Sequence, residues 1–114
     1  MLNLAHSTRI FVRLPPTDMR QSFDGLSGLV RSAFGQDPRE GSWFLFLNKR
    51  RDRLKLLLWD RDGLVIWAKR LESGTFEMVP AEGDATTREI DATQLAMLLG
   101  GVRLDAPRRK RFAG

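Results

Sequence analysis

The stretch NKRRDRLKLLLWDRDG, residues 48–63, gathers the side chains best suited to chemistry with a polyanion. Lys49, Arg50, Arg51 and Arg53 crowd one short connection, and Lys55 leaves the strand that follows. Lys69 and Arg70 lie a few residues beyond it, and Arg108, Arg109, Lys110 and Arg111 form a second run near the end. The planar guanidinium matches two phosphate oxygens at once. A two-stranded ribbon carrying such groups also fits a DNA major groove. The plain alternative is a solvated turn whose arginines pair with Asp52, Asp60 or Asp62. Exposed pairs of that kind contribute at most about 1 kcal/mol each. The run 108–111 would add counterion-release affinity without sequence readout, or would serve only as a soluble end.

Other chemistries find less material. Magnesium-assisted phosphodiester cleavage needs two or three converging carboxylates, and Asp18, Asp24, Asp52, Asp60 and Asp62 are available. Asp18 reads as a helix cap, Asp24 has Arg20 and Arg31 in helical reach, and Asp60 and Asp62 sit in a turn, so no catalytic residue is assigned. The chain has no cysteine and a single histidine, His6. Thiolate zinc, a thiol nucleophile and a Ser-His-Asp triad have almost nothing to build on. Neither a metal nor any other cofactor is expected. Gly25, Gly28 and Gly35 are followed by no Gly-Lys-Ser/Thr and make no phosphate loop. Trp43, Trp59 and Trp67 have the right faces to stack on unpaired bases, but each lies in an apolar run, where core packing is the simpler role.

Charge alternates along the second half. Residues 49–70 hold eight bases against three acids, 72–91 hold six acids against Arg88, and the chain from Arg103 holds five bases against Asp105. The net charge is +5 and the pI about 10.7. Such blocks suit a polyanion, or a charged protein face. At 114 residues and 42% hydrophobic, the chain has the size and composition of one folded domain. No apolar run approaches the roughly 18 residues of a membrane span, and residues 1–13 lack the pattern of a signal peptide. A cytoplasmic protein with no membrane partner is expected.

These groups must be positioned by the following elements. RIFVRL (9–14) alternates as a strand until Pro15 and Pro16. A helix is expected over 18–34, with Asp18 and Gln21 spaced as a capping box and Met19, Phe23, Leu26, Val30 and Ala33 as its apolar stripe. Arg20, Asp24, Ser27 and Arg31 form the polar line opposite. SWFLFLN (42–48) has the unbroken apolarity of a strand buried on both faces. LKLLLW (54–59) and LVIWAKRL (64–71) flank the turn DRDG. TFEMV (75–79) reads as a further strand, and AEGDATTRE (81–89) as a loop. Asp91 caps a last helix, with Gln94 at its third position and Ile90 placed to pack on Leu95. The expected fold is α+β, in the order β-α-β-β-β-β-α: an antiparallel meander with a helix laid on one face. The domain is drawn over residues 1–102, with 103–114 a basic, disordered tail.

Four segments, TDMRQSFDGL (17–26), NKRRDRLKLLLWDRDG (48–63), KRLESGTFE (69–77) and TQLAMLLGG (93–101), come in the order and spacing of one family. Through them the chain resembles the small accessory protein, called TnpB or Orf2, of the insertion sequence 66 family of bacterial transposable elements. Lys49 stands where that family more often has Arg, and Val79-Pro80 stands where many members have Trp-Pro. The resemblance implies a role in transposition beside a separate large transposase, without a catalytic mechanism. Three functions compete: a DNA-binding accessory factor that helps the transposase assemble, a protein-only adaptor of the transposase, and a small metal-dependent nuclease. A homodimer is a further expected partner state. Phe23, mid-stripe, is expected against the sheet, where Phe23→Ala would cost about 3–5 kcal/mol.

Overall fold

A computed structural model describes residues 7–78 and 83–100. Its elements are β1 (Ile10–Arg13), α1 (Phe23–Ala33), a single 3₁₀ turn (Pro38–Glu40), β2 (Trp43–Leu47), β3 (Arg53–Asp60), β4 (Gly63–Arg70), β5 (Thr87–Ile90) and α2 (Ala92–Leu99). The α+β class and the order β-α-β-β-β-β-α are those expected. One five-stranded sheet runs β4-β3-β2-β1-β5. It is mixed: β1 lies parallel to β2, with Phe11 opposite Phe44, and the other pairs are antiparallel. Adjacent parallel strands need a crossover, and α1 lies in it.

Every residue of β2 is buried, as its unbroken apolar run requires. Trp43, Leu45 and Leu47 face one core with Ile10, Val12, Leu54, Leu56, Leu58 and the α2 residues Leu95 and Leu98. Phe44 and Phe46 face a second core with Leu57, Met19 and the α1 residues Leu26 and Val30. Phe34, just past α1, locks that helix to the sheet. Its ring meets Phe44 edge-on at 5.1 Å and Phe46 at 6.0 Å, while Phe11 stacks on Phe44 at 5.8 Å. Both sheet faces are therefore covered, one by α1 and the other by α2.

The C-terminal helix follows its sequence closely. Asp91 accepts from the Gln94 amide at 2.7 Å, and the Gln94 side chain accepts from the Asp91 amide at 2.9 Å. Ile90 and Leu95 are buried in the same core. The first helix departs from expectation, because it starts at Phe23 rather than Asp18. The Lys55 ammonium donates to the carbonyls of Met19 and Gln21 at 2.9 and 2.7 Å. Thr17 is held as well, its amide donating to the Leu47 carbonyl at 2.7 Å. Residues 17–21 are thus tied to the sheet, and Ser22 takes the N-cap position with no side-chain cap bond.

That late start corrects two placements. Phe23, in the first helical turn, is 46% exposed instead of packed on the sheet, while Met19 from the preceding loop is buried with Leu26 and Val30. Ser27, expected on the polar line, is 5% exposed, and its hydroxyl has no hydrogen-bond partner. Arg20, Asp24 and Arg31 do face solvent.

The last strand is also a different segment from the one expected. Phe76 and Met78 are buried and Glu77 is exposed, the alternation of a strand, yet 75–78 pairs with no strand. The Phe76 amide donates to the Arg51 carbonyl at 2.6 Å and Arg51 Nη1 donates to the Met78 carbonyl at 3.2 Å. The segment therefore crosses the β2–β3 connection and closes the first core from that end. Residues 87–90, read as loop, pair with β1 instead, Ile90 opposite Ile10 and Arg88 opposite Val12. The meander is thus β2-β3-β4, and β4 is left at a sheet edge. Trp43 is buried and Trp59 and Trp67 half-buried. The last two are not neighbours: Trp59 pairs with Leu64 and Trp67 with Leu56, so alternation sends them to opposite faces.

Leu26→Ala should cost about 2–5 kcal/mol, as buried leucines do, whereas Phe23→Ala should cost under about 1 kcal/mol, as exposed changes do. Urea unfolding of the two variants checks the orientation of α1; a larger loss for Phe23→Ala than for Leu26→Ala would show the helix turned the other way.

Candidate nucleic-acid interface

The basic connection between β2 and β3 is built around Asn48. Its side-chain oxygen accepts from the amides of Asp52 at 3.1 Å and Arg53 at 3.0 Å, and its amide group donates to the Asp52 carboxylate at 2.7 Å. Main-chain bonds add Arg51 N to the Asn48 carbonyl and Asn48 N to the Arg53 carbonyl. A glycine-free loop of this shape needs one residue in the left-handed region, and Arg51 takes it at φ 58°. That costs on the order of 1 kcal/mol for a non-glycine residue. The bonds from Arg51 to Phe76 and Met78 offset it.

Two bases named from the sequence are consequently engaged inside the fold. Arg51 is half-buried and brackets the 76–78 segment; Lys55 is half-buried and holds the loop before α1. Five others, Lys49, Arg50, Arg53, Lys69 and Arg70, are exposed. Among the described residues, ion pairs within 4.0 Å join Arg9 to Glu89, Arg20 to Asp18 and Arg39 to Asp37, and none of the five has such a partner. Asp52 does not neutralise them at contact, because Asn48 holds it. Its carboxyl lies below the usual carboxylate range, lowered first by that hydrogen bond, against some desolvation, and then by the nearby charges of Arg50 and Arg53.

Strand register concentrates the charge further. Arg53 stands directly opposite Arg70, and Leu54 opposite Lys69. Like charges opposed across an antiparallel pair are destabilising, so this end of the sheet carries an arrangement that folding does not favour. Arg53, Lys55 and Arg70, with Met19 and Ala68, line a cleft of about 240 Å³. A second cleft, about 530 Å³, adjoins it across Met19 and Arg53 and is bordered by Arg20, Lys49 and Arg50. Such paired guanidiniums on a ribbon end suit successive anionic oxygens. Arg108, Arg109, Lys110, Arg111 and the boundary at residue 102 lie outside the described residues.

Some carboxylates elsewhere are also occupied, whereas Asp24, Asp60 and Asp62 make no ion pair among the described residues. Asp18 is held by the Arg20 guanidinium and amide, which lower its pKa from 3.8 to about 2. Asp37 is held in the same way by Arg39, and Asp91 caps α2. Among the described residues, no three of His, Cys, Asp and Glu are grouped to hold a metal ion. Within the same residues, no helix is long and apolar enough to cross a membrane.

A family model described as IS66 Orf2 like protein matches residues 8–109. The chain belongs to the IS66 Orf2-like family. It is 37% identical over 111 residues to the uncharacterized protein y4jC of Sinorhizobium fredii (strain NBRC 101917 / NGR234), covering 97% of this chain and 92% of the relative. To the uncharacterized protein y4hO of the same organism it is 32% identical over 102 residues, 90% of this chain and 87% of the relative. No solved structure matches. Membership of the IS66 Orf2-like family supports an accessory role in transposition of IS66 insertion sequences and suggests the transposase as a partner.

Asn48 was not among the site residues named from the sequence, although an Asn opening a polar loop is a known turn former. Asn48→Ala should cost roughly 1–3 kcal/mol, since it strands three partners; chemical denaturation measures this, and an unchanged midpoint would show the loop holds without it. Asp18 gives a pH prediction. Its folded pKa is depressed, so its stabilising contribution is complete above the unfolded value of 3.8 and is lost as pH falls toward about 2. Carboxyl NMR should place its midpoint near 2 in this protein and higher, though still below 3.8, in Arg20→Ala, because the residue-20 amide and Lys55 remain beside it.

Proposed function

We propose that this protein is a non-catalytic accessory factor of IS66 transposition that grips the DNA backbone through the basic end of its sheet and helps the transposase assemble. The observation that carries this reading is the opposed pair Arg53 and Arg70, flanked by Lys49, Arg50 and Lys69 without a carboxylate at contact distance among the described residues. A protein that needed these charges only for solubility would gain by interleaving acids, as Arg20 and Arg39 are interleaved with theirs. A phosphate backbone supplies the missing anions, and releases counterions in doing so. The rigid Asn48 loop adds preorganisation, so little ordering is left for binding. Contacts of this type position a protein on a duplex and carry no base sequence of their own. The family's place in transposition supports DNA as the polyanion.

Titration against terminal and random duplexes over a salt series tests the reading. Arg50→Ala/Arg53→Ala/Arg70→Ala should weaken both duplexes alike and lower the slope of log K against log salt by about 0.9 for each lost contact. Unchanged DNA binding with lost transposase pull-down would instead establish the protein-only adaptor. Mg²⁺-dependent nicking by the purified protein would establish the nuclease.

A further inference from the structure

The two edges of the sheet are finished differently. On β5 the strand is four residues long and charged, with Glu89 tied to Arg9 at 2.7 Å. Short, charged edges discourage pairing with another chain. On β4 the strand is eight residues, GLVIWAKR, with no proline and an apolar run from Leu64 to Ala68. Its charges stand only at its ends, Arg61 and Asp62 in the turn before it and Lys69 and Arg70 at its close. The Leu71 amide donates to the Asp52 carbonyl at 2.8 Å. Antiparallel alternation then turns the odd residues of β4 toward β3 and leaves the amides and carbonyls of Leu64, Ile66, Ala68 and Arg70 pointing away from the sheet. Beside this edge, Val65 is 36% exposed and Trp67 half-buried. They border a cleft of about 550 Å³ with Trp43 and Leu58.

We infer that β4 pairs with β4 of a second copy of this chain, antiparallel about a two-fold axis at Ile66, joining two sheets into one of ten strands. Charge selects this register. It sets Leu64 opposite the second copy's Ala68, and Val65 opposite its Trp67, an aromatic–β-branched pair formed twice. It also sets Asp62 opposite Arg70, again twice. A shift of one pair along the edge would set Glu72 against Asp62 and lose both attractions. The two basic ends fall at opposite ends of the new strand pair, about 27 Å apart at ~3.4 Å per residue. That exceeds the roughly 8 Å screening length in physiological salt, so their repulsion is small. The pairing involves main chain, apolar side chains and the two Asp62–Arg70 pairs, and does not require DNA.

Amide exchange and sedimentation of the full chain over a dilution series test the inference. Mass should move from dimer to monomer on dilution, and the amides of Leu64, Ile66 and Ala68 should lose protection together with it. Ala68→Pro removes an outward amide without touching a β3–β4 bond, and should raise the dissociation constant by at least about tenfold. Asp62→Arg should weaken the dimer, and Asp62→Arg/Arg70→Asp should restore it. Val65→Lys, at an exposed position, gives a second disruption should Ala68→Pro fail to fold. A monomer at every concentration overturns the inference. So does protection of these amides that is independent of dilution, which would mean that another segment of the same chain covers β4. Failure of the charge-reversed double variant to restore the dimer overturns the register.

Discussion

The fold depends on one constraint: β2 is apolar on both faces and must be buried on both. Its five residues leave no side chain suited to water, so the sheet needs a cover on each side. The two covers come from opposite ends of the chain. A cluster of phenylalanine rings, Phe11, Phe34, Phe44 and Phe46, fastens α1 to one face. Leu95 and Leu98 of α2, with Phe76 and Met78, close the other. The backbone of β2 is saturated as well, by β1 on one side and β3 on the other. A strand so enclosed is the least mobile part of a domain, and what is attached to its end is correspondingly well placed.

Asn48 is attached to that end, one residue past Leu47. Through it the rigidity of the core passes into the basic connection. The same fold sorts the bases by role. Arg51 and Lys55 bond to main-chain carbonyls from distant segments and hold the molecule together. Lys49, Arg50, Arg53, Lys69 and Arg70 remain outward, their positions set by the β3–β4 register. A charge cluster with two internal structural members and five external ones would look uniform to any count of bases. The distinction bears on function, because removal of Arg51 or Lys55 would disturb folding, while removal of Arg53 relieves its repulsion with Arg70.

Much of this architecture was written locally. The α2 cap is legible because Asp91 and Gln94 lie three residues apart and need only each other. The burial of β2 follows from its composition, and the β3–β4 hairpin from Asp and Gly around a tight turn. The position of the basic cluster in a connection next to a buried strand was equally plain. By itself, then, the sequence determined the class, the order of elements, the central strand and the charged end. Tertiary structure alone decided where α1 begins, since Lys55 takes the Met19 and Gln21 carbonyls from 36 and 34 residues away. It also decided that Phe23 is exposed and Ser27 buried, and that 87–90 rather than 75–78 joins the sheet. Period-two alternation shows which side chains of a segment are buried, but not whether a neighbouring strand is there to take its hydrogen bonds. Those partners are set by contacts across tens of residues, and no local pattern contains them.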